Sequence, residues 1–296
     1  GRQKHKTAVV CQYDVTCIGK REKHPVAEAC GVLPFLLPTE TGKNIQIKLR
    51  RDTDIFMTRK QKVLLGMSGG VDSSAAAFLL QEQGYAVEGI TLRLRMDDTR
   101  SAGREQPEAH GASGDIRDAA LVAETLGIPH SVLDLREEFQ NRVISNFVQE
   151  YARGRTPNPC AVCNRFIKFG AMLEYALSHG FDYIATGHYA NIIRQETEKG
   201  PGRWLLKSVP SQKDQSYMLY SLSQKQLSHT LLPLAGYTKE EIRSIAGSAG
   251  LPVAKKPDSQ EICFVPDNDY IRFLEEYTGS KAPEGDFITK EGTVLG

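Results

Sequence analysis

The chain has 296 residues, a net charge of +1, and 40% hydrophobic against 25% charged residues. That balance supports a buried core and excludes disordered and collagen-like chains, while the length fits two domains and an extra piece. No apolar run approaches the roughly 20 residues of a membrane span and no secretory signal opens the chain, so the reading is of a cytoplasmic protein without a membrane anchor.

Residues 1–58 read as a small α+β appendage of unknown role. Thr7 to Cys11 and Lys43 to Leu49 have strand character, and a Pro-containing loop, Gly31 to Pro38, lies between them. The start at Gly1 and the abrupt end at Gly296 read as a piece of a longer chain. Residues 1–62 hold thirteen basic and six acidic residues, a surface suited to a polyanion or simply to solvent. Cys11, Cys17 and Cys30 lack close metal-ligand spacing. In a reducing compartment the six cysteines are catalytic, metal-binding or buried thiols rather than disulfides.

Residues 59–220 read as a nucleotide-binding domain. Val63 to Leu65 is a buried strand, and Ala75 to Gln83 a helix that Gly84 ends. Between them runs Gly66-Met67-Ser68-Gly69-Gly70-Val71-Asp72-Ser73-Ser74. A Gly-rich turn entering a helix points amide N–H groups and the positive helix end at an anion. It has no Lys, so it is not a GxxxxGK[ST] loop. The bland alternative is an ordinary turn capped by Asp72 or Ser73.

Further along, Ala86 to Leu92 is a strand, 97–114 a polar loop, Asp115 to Leu126 a helix and Ser131 to Asp134 a strand. Helices follow at Glu137 to Tyr151 and Phe166 to His179, then a strand at Tyr183 running into Gly187-His188. Ile192–Gln195 and Trp204–Ser208 suit a hairpin. Strands alternating with helices imply a doubly wound parallel sheet, with ligands at the strand C-termini.

Residues 221–296 read as a smaller, mostly helical domain: helices over Leu222–Leu232, Thr238–Ala249 and Asp269–Thr278, with β structure beginning at Gly285. Pro252 and Pro257 keep the segment before Cys263 non-helical.

Ser68-Gly69-Gly70-Val71-Asp72-Ser73-Ser74 resembles the pyrophosphate loop of the N-type ATP pyrophosphatases, an α/β sheet of the adenine-nucleotide hydrolase type. Four further blocks, in family order, resemble the tRNA-specific 2-thiouridylases. They are Arg155 to Phe169 (RTPNPCAVCNRFIKF), Ala185 to Ala190 (ATGHYA), Lys213 to Leu219 (KDQSYML) and Lys255 to Phe264 (KKPDSQEICF). The resemblance covers about residues 60–296. It implies ATP-dependent 2-thiolation of the wobble uridine of tRNA: ATP adenylates the base, and sulfur from a cysteine persulfide replaces the oxygen.

Carried onto this chain, the resemblance gives Cys263 as persulfide carrier and Cys163 as its partner thiol, ending in a Cys163–Cys263 disulfide. Gly66, Met67, Ser68, Gly69, Gly70, Val71, Asp72 and Ser73 would hold the phosphates, Leu92 the adenine, and Gly187 would close the pocket. Mg²⁺ would accompany ATP, with Asp72 as a candidate ligand. Asn158, Pro159, Cys160, His188, Lys213, Asp214 and Gln215 would face a wobble base turned out of its stack. A protein donor, a cysteine desulfurase or persulfide relay, would supply the sulfur.

Two local readings remain. Cys163 sits in a loop before a helix with Arg155, Arg165 and Lys168 nearby, which favours thiolate. Cys160 stands where many relatives have Asp. Cys160, Cys163 and Cys263 together form a three-thiol set, and a [4Fe-4S]-dependent version of the thiolation is the alternative. Another tRNA position is the alternative acceptor.

Overall fold

The structure, a computed structural model, describes residues 59–95, 112–197, 200–258, 262–265, 267–281 and 285–296. The elements and cysteines read within 1–58, and most of the 97–114 loop, lie outside the described residues. Thr58–Gly296 is a compact unit of its own.

Five parallel strands make the sheet: β1 (Lys62–Gly66), β2 (Ala86–Arg93), β3 (His130–Asp134), β4 (Tyr183–Ala185) and, after a hairpin of β5 (Asn191–Thr197) and β6 (Gly200–Lys207), β7 (Thr230–Leu231). The order is β3-β2-β1-β4-β7. The chain winds outward from β1 in one direction, then returns to its other side at β4. The switch point therefore lies between β1 and β4, where open α/β sheets bind ligands.

β1 alternates faces, as strand geometry requires. Val63 and Leu65 join the core with α1 (Val71–Glu82), α2 (Ala112–Leu126) and α8 (Lys239–Ser248). Leu64 joins the opposite core with Phe169, Met172 and Ile184. Val63, Leu64 and Leu65 are fully buried, and truncating either leucine to Ala costs about 2–5 kcal/mol. Ala75, Ala76 and Ala77 are fully buried too, and their small side chains let α1 lie between the sheet and α8.

Two long helices contain π-helical turns. Arg136–Phe139 (α3) passes through Gln140–Ile144 into Ser145–Ala152 (α4), and Pro159–Cys163 (α5) passes through Asn164–Ala171 into Met172–Ser178 (α6). The second starts earlier than the sequence pattern suggests, because Asn158 caps it and Pro159 occupies the first turn. α2 likewise starts at Ala112 rather than Asp115.

The helix expected over Leu222–Leu232 is shorter: α7 spans only Gln224–Ser228. Thr230 bonds back to the Gln226 carbonyl at 2.7 Å, and the chain straightens to add β7 alongside β4. Some of the chain after residue 220 thus joins the nucleotide sheet. α9 (Tyr270–Thr278) starts at its Asp269 cap, and an isolated bridge pairs Ile288 with Val294.

Candidate active site

The loop after β1 has the geometry of an anion cradle. Gly69 has φ +68°, and a Cβ there would lie 2.5 Å from the Asp115 carbonyl oxygen, so only glycine fits. The cap of α1 is Gly70, which offers no side-chain acceptor to the first-turn amides. Those amides have no intrahelical partner, and the helix dipole adds to their pull on an anion. Ser73 Oγ accepts from the Ser68 amide at 3.2 Å and donates to the Gly70 carbonyl at 3.1 Å, fixing the turn. From β4, Gly187 closes on the same turn: a Cβ there would lie 2.8 Å from the Ser73 nitrogen.

Other expected members of the cradle serve the fold. The Met67 amide donates to the Ile90 carbonyl at 2.8 Å, and the side chains of Met67 and Val71 are buried in the core. Gly66 faces Met172, whose sulfur would lie 3.4 Å from an added Cβ. Leu92, near the end of β2, packs between the Leu64 core and the Cys163 cluster.

Asp72 departs from the expectation. Lys239 Nζ lies 2.7 and 2.8 Å from its two oxygens, and the Tyr189 hydroxyl donates to Oδ1 at 2.8 Å. A carboxylate held this way does not fit a Mg²⁺ ligand. Burial, helped by Asp72, keeps the Tyr189 phenol protonated. Lys239 also reaches Asp258 Oδ1 at 2.8 Å, and Arg243 and Lys213 bond the same carboxylate. Burial opposes the charge on Asp258, but Lys239 and Lys213 outweigh it and hold its carboxyl below the usual range.

The cysteines are brought together from distant sequence. Cys163 lies in α5, within the helix rather than in the loop read from sequence, and packs with Phe139, Val143 and Ile167. Burial pushes its thiol up to about 12, despite the opposing pull of Lys168; the expected thiolate stabilisation is not realised. Cys160 and Cys263 are exposed, and all three thiols are free. Each of the other two is close enough to Cys163 to bear on its ionisation. The protein mass around Cys263 also pushes its thiol up, with Arg95 opposing. Arg95 donates to the Cys263 carbonyl at 2.8 Å. Phe264 sits edge-on to Phe139 and Phe147 and anchors the stretch. Among the described residues no metal-holding group of His, Cys, Asp or Glu is formed, so the three thiols do not fit a cluster in this arrangement.

The residues read as facing tRNA divide. Asn158 accepts from the Ala161 amide at 3.0 Å as helix cap, and Pro159 is buried. Asp214 accepts from the Val209 amide and the Ser216 hydroxyl, while Gln215 bonds the Tyr189 backbone in both directions. Both shape a turn. His188 is bonded to Thr186 at 2.8 Å and lies over Phe169. Burial pulls its imidazole well below the ordinary value, so it is neutral at pH 7. Cys160 is exposed.

Sequence reasoning missed Lys239. A clue was present: Lys at the first position of a helix opposes the macrodipole, and such a local misfit points to a tertiary partner. Thr238 caps that helix in a reciprocal box with Glu241, which fixes where Lys239 points.

A parallel sheet with a glycine-rich, lysine-free loop at its switch point defines an α/β protein of the doubly wound class. The sequence profile described as the tRNA methyl transferase HUP domain matches residues 61–267, and the chain belongs to that family. It is similar to the tRNA-specific 2-thiouridylase MnmA of Lachnoclostridium phytofermentans, 51% identical over 80% of this chain and 65% of that protein. The corresponding protein of Acetivibrio thermocellus is also 51% identical, with the same coverage of both. The chain thus spans 65% of the length of these curated relatives. Among solved structures, an NMN synthetase from Francisella tularensis aligns with 78% of this chain and 82% of its own, at 15% identity and a TM-score of 0.42.

Proposed function

We propose that this chain carries the adenylating and sulfur-transferring part of a tRNA-uridine 2-sulfurtransferase acting at the wobble position. The observation that carries the reading is that the stretches bearing Cys163 and Cys263, far apart in sequence, meet: Phe264, next to Cys263, packs against the buried cluster that contains Cys163. The printed names of the relatives support it.

In this reading the first-turn amides of α1 take the phosphates of ATP, and the uridine 2-oxygen attacks the α-phosphorus. Pyrophosphate leaves, and a poor leaving group has become AMP. Cys263 arrives as a persulfide loaded by a donor protein. The Cys163 sulfur attacks the Cys263 sulfur and expels the terminal sulfur as sulfide, which adds at C2 and displaces AMP. The sulfane sulfur is reduced, the two thiols are oxidised to a disulfide, and an external thiol reductant restores them. Cys163 is suited to a late role: buried and protonated, it gives up its proton only as the S–S bond forms. The neutral imidazole of His188 is a hydrogen-bonding group for a base rather than a cation. Mg²⁺ enters with the nucleotide, and no ligand for it is assigned to Asp72.

The test is mass spectrometry of wobble nucleosides after incubating the protein with ATP, tRNA and a persulfide donor. The expected product is 2-thiouridine, with one pyrophosphate released per sulfur inserted. Sulfur at another nucleoside would move the activity to another position. ATP use without sulfur insertion under every donor tried would overturn the reading.

A further inference from the structure

We infer that Lys239 is a positioning residue that ties the nucleotide loop to the sulfur-carrying segment through Asp72 and Asp258. The inference rests on the proposed thiolation for its catalytic consequence, but not for its geometry. The Lys239 side chain is 9% exposed and lies between two carboxylates. Asp72 belongs to the first turn of α1, which forms the cradle. Asp258 precedes Cys263 on the same stretch of chain.

A buried lysine meeting two carboxylates is costly to desolvate unless both partners stay in place. Its ammonium has three donors, and three carboxylate oxygens of the two partners lie within 2.8 Å. The arrangement is therefore satisfied only when the loop and the cysteine segment hold one fixed relation.

Two neighbouring contacts strengthen the tie. Arg243, one turn along α8, bonds the carbonyls of Ala254 and Lys256 as well as Asp258. Lys256 reaches Asp115 and Asp118 at 3.1 and 2.7 Å. The Asp115 backbone is the group packed against Gly69. Residues 254–258, which precede Cys263 in the sequence, are thus attached at two points to the two walls of the cradle. The tie does no chemistry itself. It fixes the place from which sulfur approaches, so that the adenylated base meets sulfur before water.

The experiment uses Lys239→Met and, should that variant not fold, Asp258→Asn, which leaves Lys239 on Asp72. The first readout is the ratio of AMP released to 2-thiouridine formed. A loss of folded protein lowers both quantities together and leaves the ratio unmoved. A lost tie lets water hydrolyse the adenylate, and misplacement of about 1 Å can cost on the order of a hundredfold in transfer. The expected result is therefore a ratio that rises by up to that factor, with the KM for ATP unchanged in Asp258→Asn. A ratio equal to wild type in the folded variants overturns the inference.

The second readout needs no tRNA: the rate at which iodoacetamide alkylates Cys263, with and without ATP. ATP should change that rate in the wild type and not in Asp258→Asn. No change in the wild type, or an equal change in both, also overturns the inference. A wild type that forms no 2-thiouridine would instead fail the proposed function, and the alkylation comparison would still decide the tie.

Discussion

A Cβ placed on Gly187 would lie 2.8 Å from the backbone nitrogen of Ser73. Two strand ends, from β1 and β4, therefore meet at backbone distance, and the cradle is built on that approach. Gly187→Ala must push the first turn of α1 aside, because the obstruction is main chain. The expected outcome is a rise in KM for ATP of at least about tenfold, consistent with the loss of one charge-assisted hydrogen bond. Nucleotide titration of the variant checks it.

Gly69 and Gly70 should respond differently to the same change. Gly69→Ala adds a Cβ at φ +68° and 2.5 Å from a carbonyl oxygen. It should cost about 1–3 kcal/mol of stability from the backbone strain alone. Gly70 has φ −99°, and its added Cβ would meet only Ser68 Oγ at 3.4 Å. Gly70→Ala should keep its melting temperature but lose ATP turnover, because the methyl group occupies space beside the cradle. Thermal melts paired with pyrophosphate release separate the two.

Cys263→Ser should abolish thiolation while pyrophosphate release continues, since the adenylation step uses no sulfur. Parallel assays of both products on one preparation test this. Loss of both activities would argue that Cys263 shapes the nucleotide site instead of carrying sulfur.

The Cys163 thiol has a pH signature. Its folded value, about 12, lies above the ordinary 9.0. The folded state thus favours the protonated thiol. That stabilisation is complete below pH 9 and is lost between about 9 and 12. In that window stability should fall by up to about 1.4 kcal/mol per pH unit from this group. Denaturant melts of wild type against Cys163→Ala should show a shallower alkaline slope in the variant. Alkylation at pH 8 should reach exposed Cys160 well before Cys163.

Thr238 sets the start of α8 and thereby the aim of Lys239. Thr238→Ala removes its half of the capping box and should cost about 1 kcal/mol. Chemical denaturation measures that loss. The AMP-to-thiouridine ratio should rise with it if the frayed turn releases Lys239.

The sequence by itself determined the strand–loop–helix at 63–82, the parallel alternation that follows, and the helices that begin at Thr238 and Asp269. These are local: they depend on side-chain period, on Gly conformations and on hydrogen bonds within four residues. It also marked Cys163 and Cys263, through blocks that resemble a family. Tertiary structure alone decided what surrounds them. Burial among Phe139, Val143 and Ile167 turned Cys163 from an expected thiolate into a protonated thiol, because desolvation outweighs the cation nearby. Likewise the sequence placed Asp72 in an anion cradle, but only the packing of α8 against α1 brought Lys239 to it. A local pattern can mark Lys239 as a misfit but cannot name its partner: the two lie 167 positions apart in the chain, and only the closed core sets their distance.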